Sequence, residues 1–253
     1  MTKVIAVAGK GGTGKTTLSG LIIRHILTSG RGPVFAVDAD ANANLNEILG
    51  VAVDQTVGRI REGVRQAVGA GTIPAGVSKG SVIEYEVENS IIEAEGFDLL
   101  VMGRPEGPGC YCYANSLLRK YVDELQQGYP YVVIDNEAGM EHLSRRTTDD
   151  VDVLLVVSDP SPVGIATAQR IYGLVDELNL RVKQAYLVVS RANGELPQRV
   201  HELMGDKGLR LGGVIPNDPL VVEYGFDGRP VLGLPAGSPA VQAVQELAEK
   251  VGI

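Results

Sequence analysis

The sequence predicts an α/β protein with a doubly wound, mostly parallel sheet flanked by helices. Short apolar runs rich in β-branched residues alternate with longer amphipathic segments, and such runs are typical of strands that a parallel sheet buries on both faces. The predicted strands are 4–8, 34–37, 99–102, 131–134, 153–157, 185–189 and 211–215. The predicted helices are 15–28, 116–127, 162–178, 197–204 and 238–251. This repetition favours one domain spanning residues 1–253.

Composition narrows the range of functions. The chain has 31 acidic against 23 basic residues and a net charge of −8. An acidic surface repels phosphate backbones and anionic lipids, so we expect no nucleic acid and no membrane as partner. No apolar run reaches the ~18 residues that span a bilayer, and the N-terminal run is too short for a signal peptide, so we expect a cytoplasmic protein.

The stretch 51–96 is the least periodic part of the chain, with scattered glycines and a charged segment at 84–88. We expect an insertion or a layer of short helices over one face. A solvated excursion is favoured there over a specific site.

Residues 9–16 fit the phosphate-binding pattern G-x-x-x-x-G-K-T, directly after an apolar strand and at the start of a helix. Its glycines let several backbone N–H groups point at one anion, and the helix adds the positive end of its dipole. We expect Lys15 to reach the β- and γ-phosphates, Thr16 to ligate Mg²⁺ and Thr17 to bond the α-phosphate. The loop consists of Gly9, Lys10, Gly11, Gly12, Thr13, Gly14, Lys15 and Thr16.

Carboxylates follow two of the predicted strands. Asp38 and Asp40 come after the second strand, where they suit a metal-and-water site, although an Asx-rich turn that caps a helix has the same composition. Asp135 ends the apolar run 131–134, which is the Walker B pattern, and we expect it to hold Mg²⁺ through water.

Lys10 extends the loop to Lys-Gly-Gly-x-Gly-Lys-Thr-Thr, which resembles the deviant Walker A family of MinD, ParA and the nitrogenase iron protein. The resemblance implies an ATP-hydrolysing homodimer in which Lys10 crosses to the partner's nucleotide, as an arginine finger does. It also implies that Asp40 orients the attacking water, that Asp38 lies near the Mg²⁺ shell, and that 136–141 form switch II. Family members often carry proline where Glu137 stands.

Two later segments resemble the family's base-side loops. Arg191 and Asn193 follow one strand, Pro216 and Asn217 follow the next, and an asparagine amide has the paired donor and acceptor that a purine edge needs. Loop residues after strands are also often simple turns. Because no Asn-Lys-x-Asp segment of the guanine-binding kind is present, the expected ligand is ATP or ADP with Mg²⁺.

The two cysteines, Cys110 and Cys112, share one loop rich in glycine and proline. They supply two thiolates, whereas closed tetrahedral sites need four ligands, so two chains would together complete a site on a two-fold axis. Two buried structural cysteines remain the alternative.

The cysteine loop resembles the cluster-binding loop of the nitrogenase iron protein, but 136–142 lack a second cysteine. The order of motifs resembles the CooC branch, which implies a homodimer that binds Ni²⁺ or Zn²⁺ and serves carbon monoxide dehydrogenase. A positioning or partitioning ATPase of the MinD and ParA type, and a cluster-bearing reductase, are the alternatives.

Overall fold

A computed structural model describes residues 2–73, 76–104, 125–137, 150–192, 200, 202 and 209–253. Within these ranges the strands are β1 Lys3–Gly9, β2 Val34–Ala39, β3 Ile92–Ala94, β4 Phe97–Val101, β5 Tyr131–Asn136, β6 Asp150–Ser158, β7 Arg181–Ala192 and β8 Arg210–Pro216. The α-helices are α1 Lys15–Thr28, α2 Leu45–Leu49, α3 Val57–Gly69, α4 Lys79–Asn89, α5 Pro162–Glu177, α6 Pro219–Phe226 and α7 Pro239–Val251.

The described strands form one sheet in the order β3-β4-β2-β5-β1-β6-β7-β8. Strand β1 lies near the centre and pairs in parallel with β5 and β6, while the edge strand β3 pairs antiparallel with β4. The predicted doubly wound, mostly parallel sheet is therefore confirmed. In such sheets ligands bind beyond the carboxyl ends of the strands, where the strand order reverses.

Side chains alternate between two buried layers along β1. Ile5 and Val7 pack on the side of α1 and α7, whereas Val4 and Ala6 face the opposite layer. On that opposite side α3 and α4 cover β2, β4 and β5, and α5 covers β6 and β7. Because both faces are covered, the central strands are continuously apolar.

Helix α1 has the predicted bounds, and most other elements differ from prediction by one to three residues. Strand β7 is longer because its first residues, Arg181–Gln184, pair with β6 although several of them are exposed. The stretch 51–96 holds α3, α4 and β3, and its helices form a layer over one face. Predicted helices 116–127 and 197–204 fall largely outside the described residues.

No helix in the described ranges combines the length and the apolar character needed to cross a membrane.

Candidate functional site

The phosphate loop connects β1 to α1. Gly9 is confined to glycine because its φ is +150° and an added Cβ would lie 2.4 Å from the Val157 carbonyl oxygen. Gly14 precedes α1 in the left-handed conformation and offers no side-chain cap, so the first N–H groups of the helix remain open to an anion. Lys15 is buried, and its Nζ lies 3.4 Å from the Lys10 carbonyl oxygen.

Two buried carboxylates end neighbouring strands beside this loop. Asp38 on β2 and Asp135 on β5 are register partners, and each lies two residues beyond a residue of the α1 layer, Ala36 and Val133, so both side chains face α1. The Ser19 hydroxyl lies 3.1 Å from Asp135 Oδ1. Burial raises the pKa of Asp38 to about 7 and that of Asp135 to about 6, while hydrogen bonds from Thr16 and Ser19 oppose the shift at Asp135.

These oxygens fit a magnesium ion. The Thr16 hydroxyl is within hydrogen-bonding reach of the Asp135 carboxylate, and Mg²⁺ prefers one or two such oxygen ligands together with waters and substrate phosphates. Among the described residues, no group of three or more His, Cys, Asp or Glu side chains could hold a metal by itself. These few protein oxygens therefore suit a Mg²⁺ ion whose remaining ligands are nucleotide phosphates and water.

Asp38 also organises the turn after β2. Its two carboxylate oxygens accept from the backbone N–H groups of Asp40 at 3.0 Å and Leu45 at 2.9 Å, which fixes the start of α2. Asp40 is half-buried, and its Oδ1 accepts from the Asn42 N–H at 2.8 Å. The capping turn that the sequence left open is thus present, and it holds Asp40 at the edge of the site.

A cavity of about 790 Å³ adjoins the loop. It lies along the side of α1 that carries Thr17 and Leu21, whereas the carboxylates lie on the side that carries Thr16 and Ser19. The lining of the cavity includes Gly14 and Thr17 of the predicted phosphate site and Arg191, Pro216 and Asn217 of the predicted base side. The remaining base-side residue of that prediction, Asn193, lies outside the described residues.

Two residues that line this cavity were not among the predicted site residues, Asp218 and Ser190. Asp218 is buried, caps α6 through the Leu220 N–H at 2.9 Å, and accepts from the Ser238 hydroxyl at 2.5 Å. Ser190 is also buried and bonds the phosphate loop. The signal for Asp218 was its position directly before a proline, a common helix start.

Lys10 is exposed in the phosphate loop. Its carbonyl accepts from the Thr13 hydroxyl at 2.8 Å. The pKa of Asp159, which follows β6, is lowered by hydrogen bonding from Ser161 and further by the charge of Lys10.

The segment that carries the cysteines leaves the sheet beside Asp38. The Met102 N–H donates to the Asp38 carbonyl at 2.8 Å. Gly103 follows with a φ of +61°, and Thr56 leaves no space there for a Cβ. Cys110 and Cys112 themselves lie outside the described residues, as does switch II beyond Glu137.

The model of the CobQ/CobB/MinD/ParA nucleotide binding domain matches residues 4–231. A Methanocaldococcus jannaschii relative, named an uncharacterized ATP-binding protein, is 43% identical over 98% of both chains. The carbon monoxide dehydrogenase accessory protein CooC of Rhodospirillum rubrum is 33% identical over 70% of both chains.

Among solved structures, the septum site-determining protein MinD of Pyrococcus horikoshii, complexed with Mg-ADP, has a TM-score of 0.71. It is 22% identical and covers 99% of this chain and 96% of its own. This likeness shows the fold. The matched domain and the relatives named as ATP-binding bear out the prediction of a P-loop ATPase. The chain is an ATPase that belongs to the CobQ/CobB/MinD/ParA nucleotide-binding domain family.

Proposed function

We propose that the chain hydrolyses Mg-ATP at residues 9–16, with Lys10, Lys15 and Asp40 as catalytic residues. The observation that carries this proposal is the meeting of the loop with two buried carboxylates at the carboxyl end of the sheet. Lys15 stabilises charge on the β- and γ-phosphates, and Asp40 orients the attacking water. The backbone N–H groups of Gly9, Gly11, Gly12, Thr13 and Gly14 surround the phosphates.

Thr16 and Asp135 would hold Mg²⁺, with Asp38 near its shell. The ion would supply positive charge that neutralises the charge developing on the phosphates as the terminal phosphoryl group is transferred. Thr17 bonds the α-phosphate. Arg191, Asn193, Pro216 and Asn217 border the adenine, and the cavity beside Gly14 supports that placement.

In this proposal the working unit is a homodimer, and the whole chain acts as one ATPase domain. Lys10 supplies its ammonium to the nucleotide of the partner subunit. The exposure of Lys10 supports this role, because Lys15, which is proposed to serve the chain's own nucleotide, is buried.

The more specific part of the proposal is that this ATPase is a metallochaperone, which holds a metal ion and delivers it to another protein. ATP brings two chains together, the thiolates of Cys110 and Cys112 from both chains hold one Ni²⁺ or Zn²⁺, and hydrolysis reopens the dimer. The client would be carbon monoxide dehydrogenase, and the CooC relative supports that class of client. The bond between Met102 and Asp38 supports coupling, since it joins the start of the cysteine segment to the turn that holds Asp40.

The alternative is a positioning or partitioning ATPase without metal delivery. Such a protein needs a surface for lipid or DNA. In this chain the apolar side of α7, including Val244, Leu247 and Val251, is buried in the core. That face is therefore not available to a membrane, which favours the metallochaperone.

Metal content per chain, measured with the mass of the same sample by sedimentation, tests this proposal. We expect one metal ion per two chains, on a dimer. Cys110→Ser and Cys112→Ser should each lose tight metal binding while retaining ATP binding, and acid should release the metal as the thiols protonate. One metal per chain on a stable monomer would rule out the shared site. A dimer that hydrolyses ATP and holds no metal would favour the positioning class.

A further inference from the structure

The end of β7 is bonded to the back of the phosphate loop. The Ser190 hydroxyl donates to the Thr13 carbonyl oxygen at 2.5 Å and lies 3.3 Å from the Ser158 carbonyl oxygen. The next residue, Arg191, donates from Nη1 to the Gly12 carbonyl oxygen at 3.0 Å. Two consecutive side chains of β7 thus hold two consecutive carbonyl groups of the loop.

Holding a carbonyl fixes the direction of the following N–H group. A trans peptide unit is planar, and its C=O and N–H bonds point in opposite directions. With the Thr13 carbonyl turned toward Ser190, the Gly14 N–H is turned away from β7. With the Gly12 carbonyl turned toward Arg191, the Thr13 N–H is turned away as well. Its bond to the Lys10 carbonyl is long, at 3.4 Å, and an anion can replace it.

The backbone of Arg191 indicates that this contact is imposed by its surroundings. Its φ is +54°, a left-handed conformation that an arginine adopts at a cost in free energy. Strained residues of this kind persist where neighbouring structure determines them, and here the strained residue carries the guanidinium that reaches the loop. Ser190 is buried, at 7% exposure, so solvent does not compete for its hydroxyl.

We infer that Ser190 and Arg191 are positioning residues of the phosphate site, which hold the loop carbonyls so that the Thr13 and Gly14 N–H groups face the nucleotide phosphates. The inference rests on the proposed phosphate site and on nothing about the cysteines. It gives Arg191 a role on the loop, in addition to its predicted place beside the base.

A ligand without a base separates these two roles. The probes are Mg-tripolyphosphate, which has phosphates alone, and Mg-ATP, and dissociation constants are measured by calorimetry. Ser190→Ala should raise the dissociation constants of both ligands by the same factor, about three- to tenfold, since one hydrogen bond that orients the loop is lost. Ser190→Thr keeps the hydroxyl and should bind both ligands as the unmodified chain does. An equal loss in the Thr and Ala variants would mean that packing matters there, and would overturn the role of the hydroxyl.

Arg191→Ala and Arg191→Gly form a second pair at an exposed position where folding should be retained. Both remove the guanidinium, but glycine accepts the positive φ without strain. Both should weaken the binding of tripolyphosphate and weaken the binding of ATP at least as much, although the Gly variant should unfold at a higher denaturant concentration than the Ala variant. Weaker ATP binding with unchanged tripolyphosphate binding would assign Arg191 to the base alone and overturn its positioning role.

Lys15→Ala distinguishes failure of the inference from failure of the site. It should lose tripolyphosphate binding if residues 9–16 bind phosphate. If Lys15→Ala loses binding while Ser190→Ala and both Arg191 variants bind normally, the positioning role is wrong and the phosphate site stands. If Lys15→Ala binds normally, the phosphate site itself is wrong, and the positioning role fails with it.

Discussion

At the residue scale, Asp38 and Asp40 are separated by one position but have different surroundings. Both oxygens of Asp38 accept backbone N–H groups, and the side chain is fully buried. Asp40 is half-buried, and the described hydrogen bonds of its carboxylate come from Asn42 alone. Asp38 therefore supports the turn after β2 through fixed hydrogen bonds, whereas Asp40 is the carboxylate with room to contact a water.

Asp40→Ala tests this distinction. We expect nucleotide binding to be retained and the rate of hydrolysis to fall at least ~100-fold, since positioning of the attacking water is lost. Single-turnover hydrolysis and ATP affinity are measured on the same preparation. Asp40→Asn serves as a control that keeps the turn, because its amide oxygen can still accept from Asn42. Hydrolysis at the unmodified rate in the Ala variant would remove Asp40 from the proposed mechanism.

Gly9→Ala tests the steric requirement at the start of the loop. The new Cβ would meet the Val157 carbonyl at 2.4 Å with the backbone at a φ of +150°. We expect the free energy of unfolding to fall by about 3 kcal/mol or more, with loss of nucleotide binding. Gly63→Ala is the matched control, because Gly63 is exposed in α3 with open space around it, and it should gain about 0.5–1 kcal/mol. Equal denaturation midpoints for the two variants would contradict the steric argument.

At the element scale, Asp218 joins the base-side loop to two helices. It caps α6 and accepts from the Ser238 hydroxyl and the Ala240 N–H at the start of α7. Burial opposes ionisation of Asp218, but the hydrogen bonds from Ser238, Ala240 and Leu220 outweigh it and hold the pKa of this carboxyl below its ordinary value. The side chain thereby fixes the loop that carries Pro216 and Asn217 to the starts of α6 and α7.

Asp218→Asn should lower the free energy of unfolding by about 2 kcal/mol at neutral pH, since hydrogen bonds to a charged acceptor are lost. A carboxyl whose folded-state pKa is depressed contributes stability above its unfolded pKa, about 3.9, and loses it as pH falls through the folded value. The difference in the free energy of unfolding between the unmodified chain and the Asp218→Asn variant should therefore be complete above pH ~4 and should shrink below it. Denaturant unfolding at several pH values measures this. Asp227→Asn, at an exposed position, should change stability by less than about 0.5 kcal/mol, and a similar loss in both variants would contradict the account.

The elements that sequence reasoning located best are those whose pattern depends on burial alone. Central strands such as β1 are apolar throughout because both faces are covered, and they were predicted nearly to the residue. Helix α3 was not placed, although Val57, Ile60 and Val64 have helical spacing and Thr56 caps it. Its interruption by Gly63 weakened the pattern. Strand β3 is too short, at three residues, to show any period.

At the scale of the whole molecule, the sheet determines which strand ends meet. The sequence motifs indicated the loop, Asp38 and Asp135, since each motif carries its own local signature. The bond from Ser190 to the Thr13 carbonyl joins residues 177 positions apart. Nothing in the local pattern of β7 indicates it, because the contact depends on the strand order and on the exact direction in which the loop turns.

Whether two chains form the working site is tested most directly by mixing two inactive variants. Lys10→Ala removes the group proposed for the partner's nucleotide, and Lys15→Ala removes the group proposed for the chain's own nucleotide. In a mixed dimer both lesions fall on one site, and the other site has its own Lys15 and receives Lys10 from the partner. Random pairing of equal amounts should restore about a quarter of the unmodified ATPase rate, although each variant alone is inactive. Mixed dimers, demonstrated by differential tagging, that hydrolyse no ATP would contradict the action of Lys10 across the dimer.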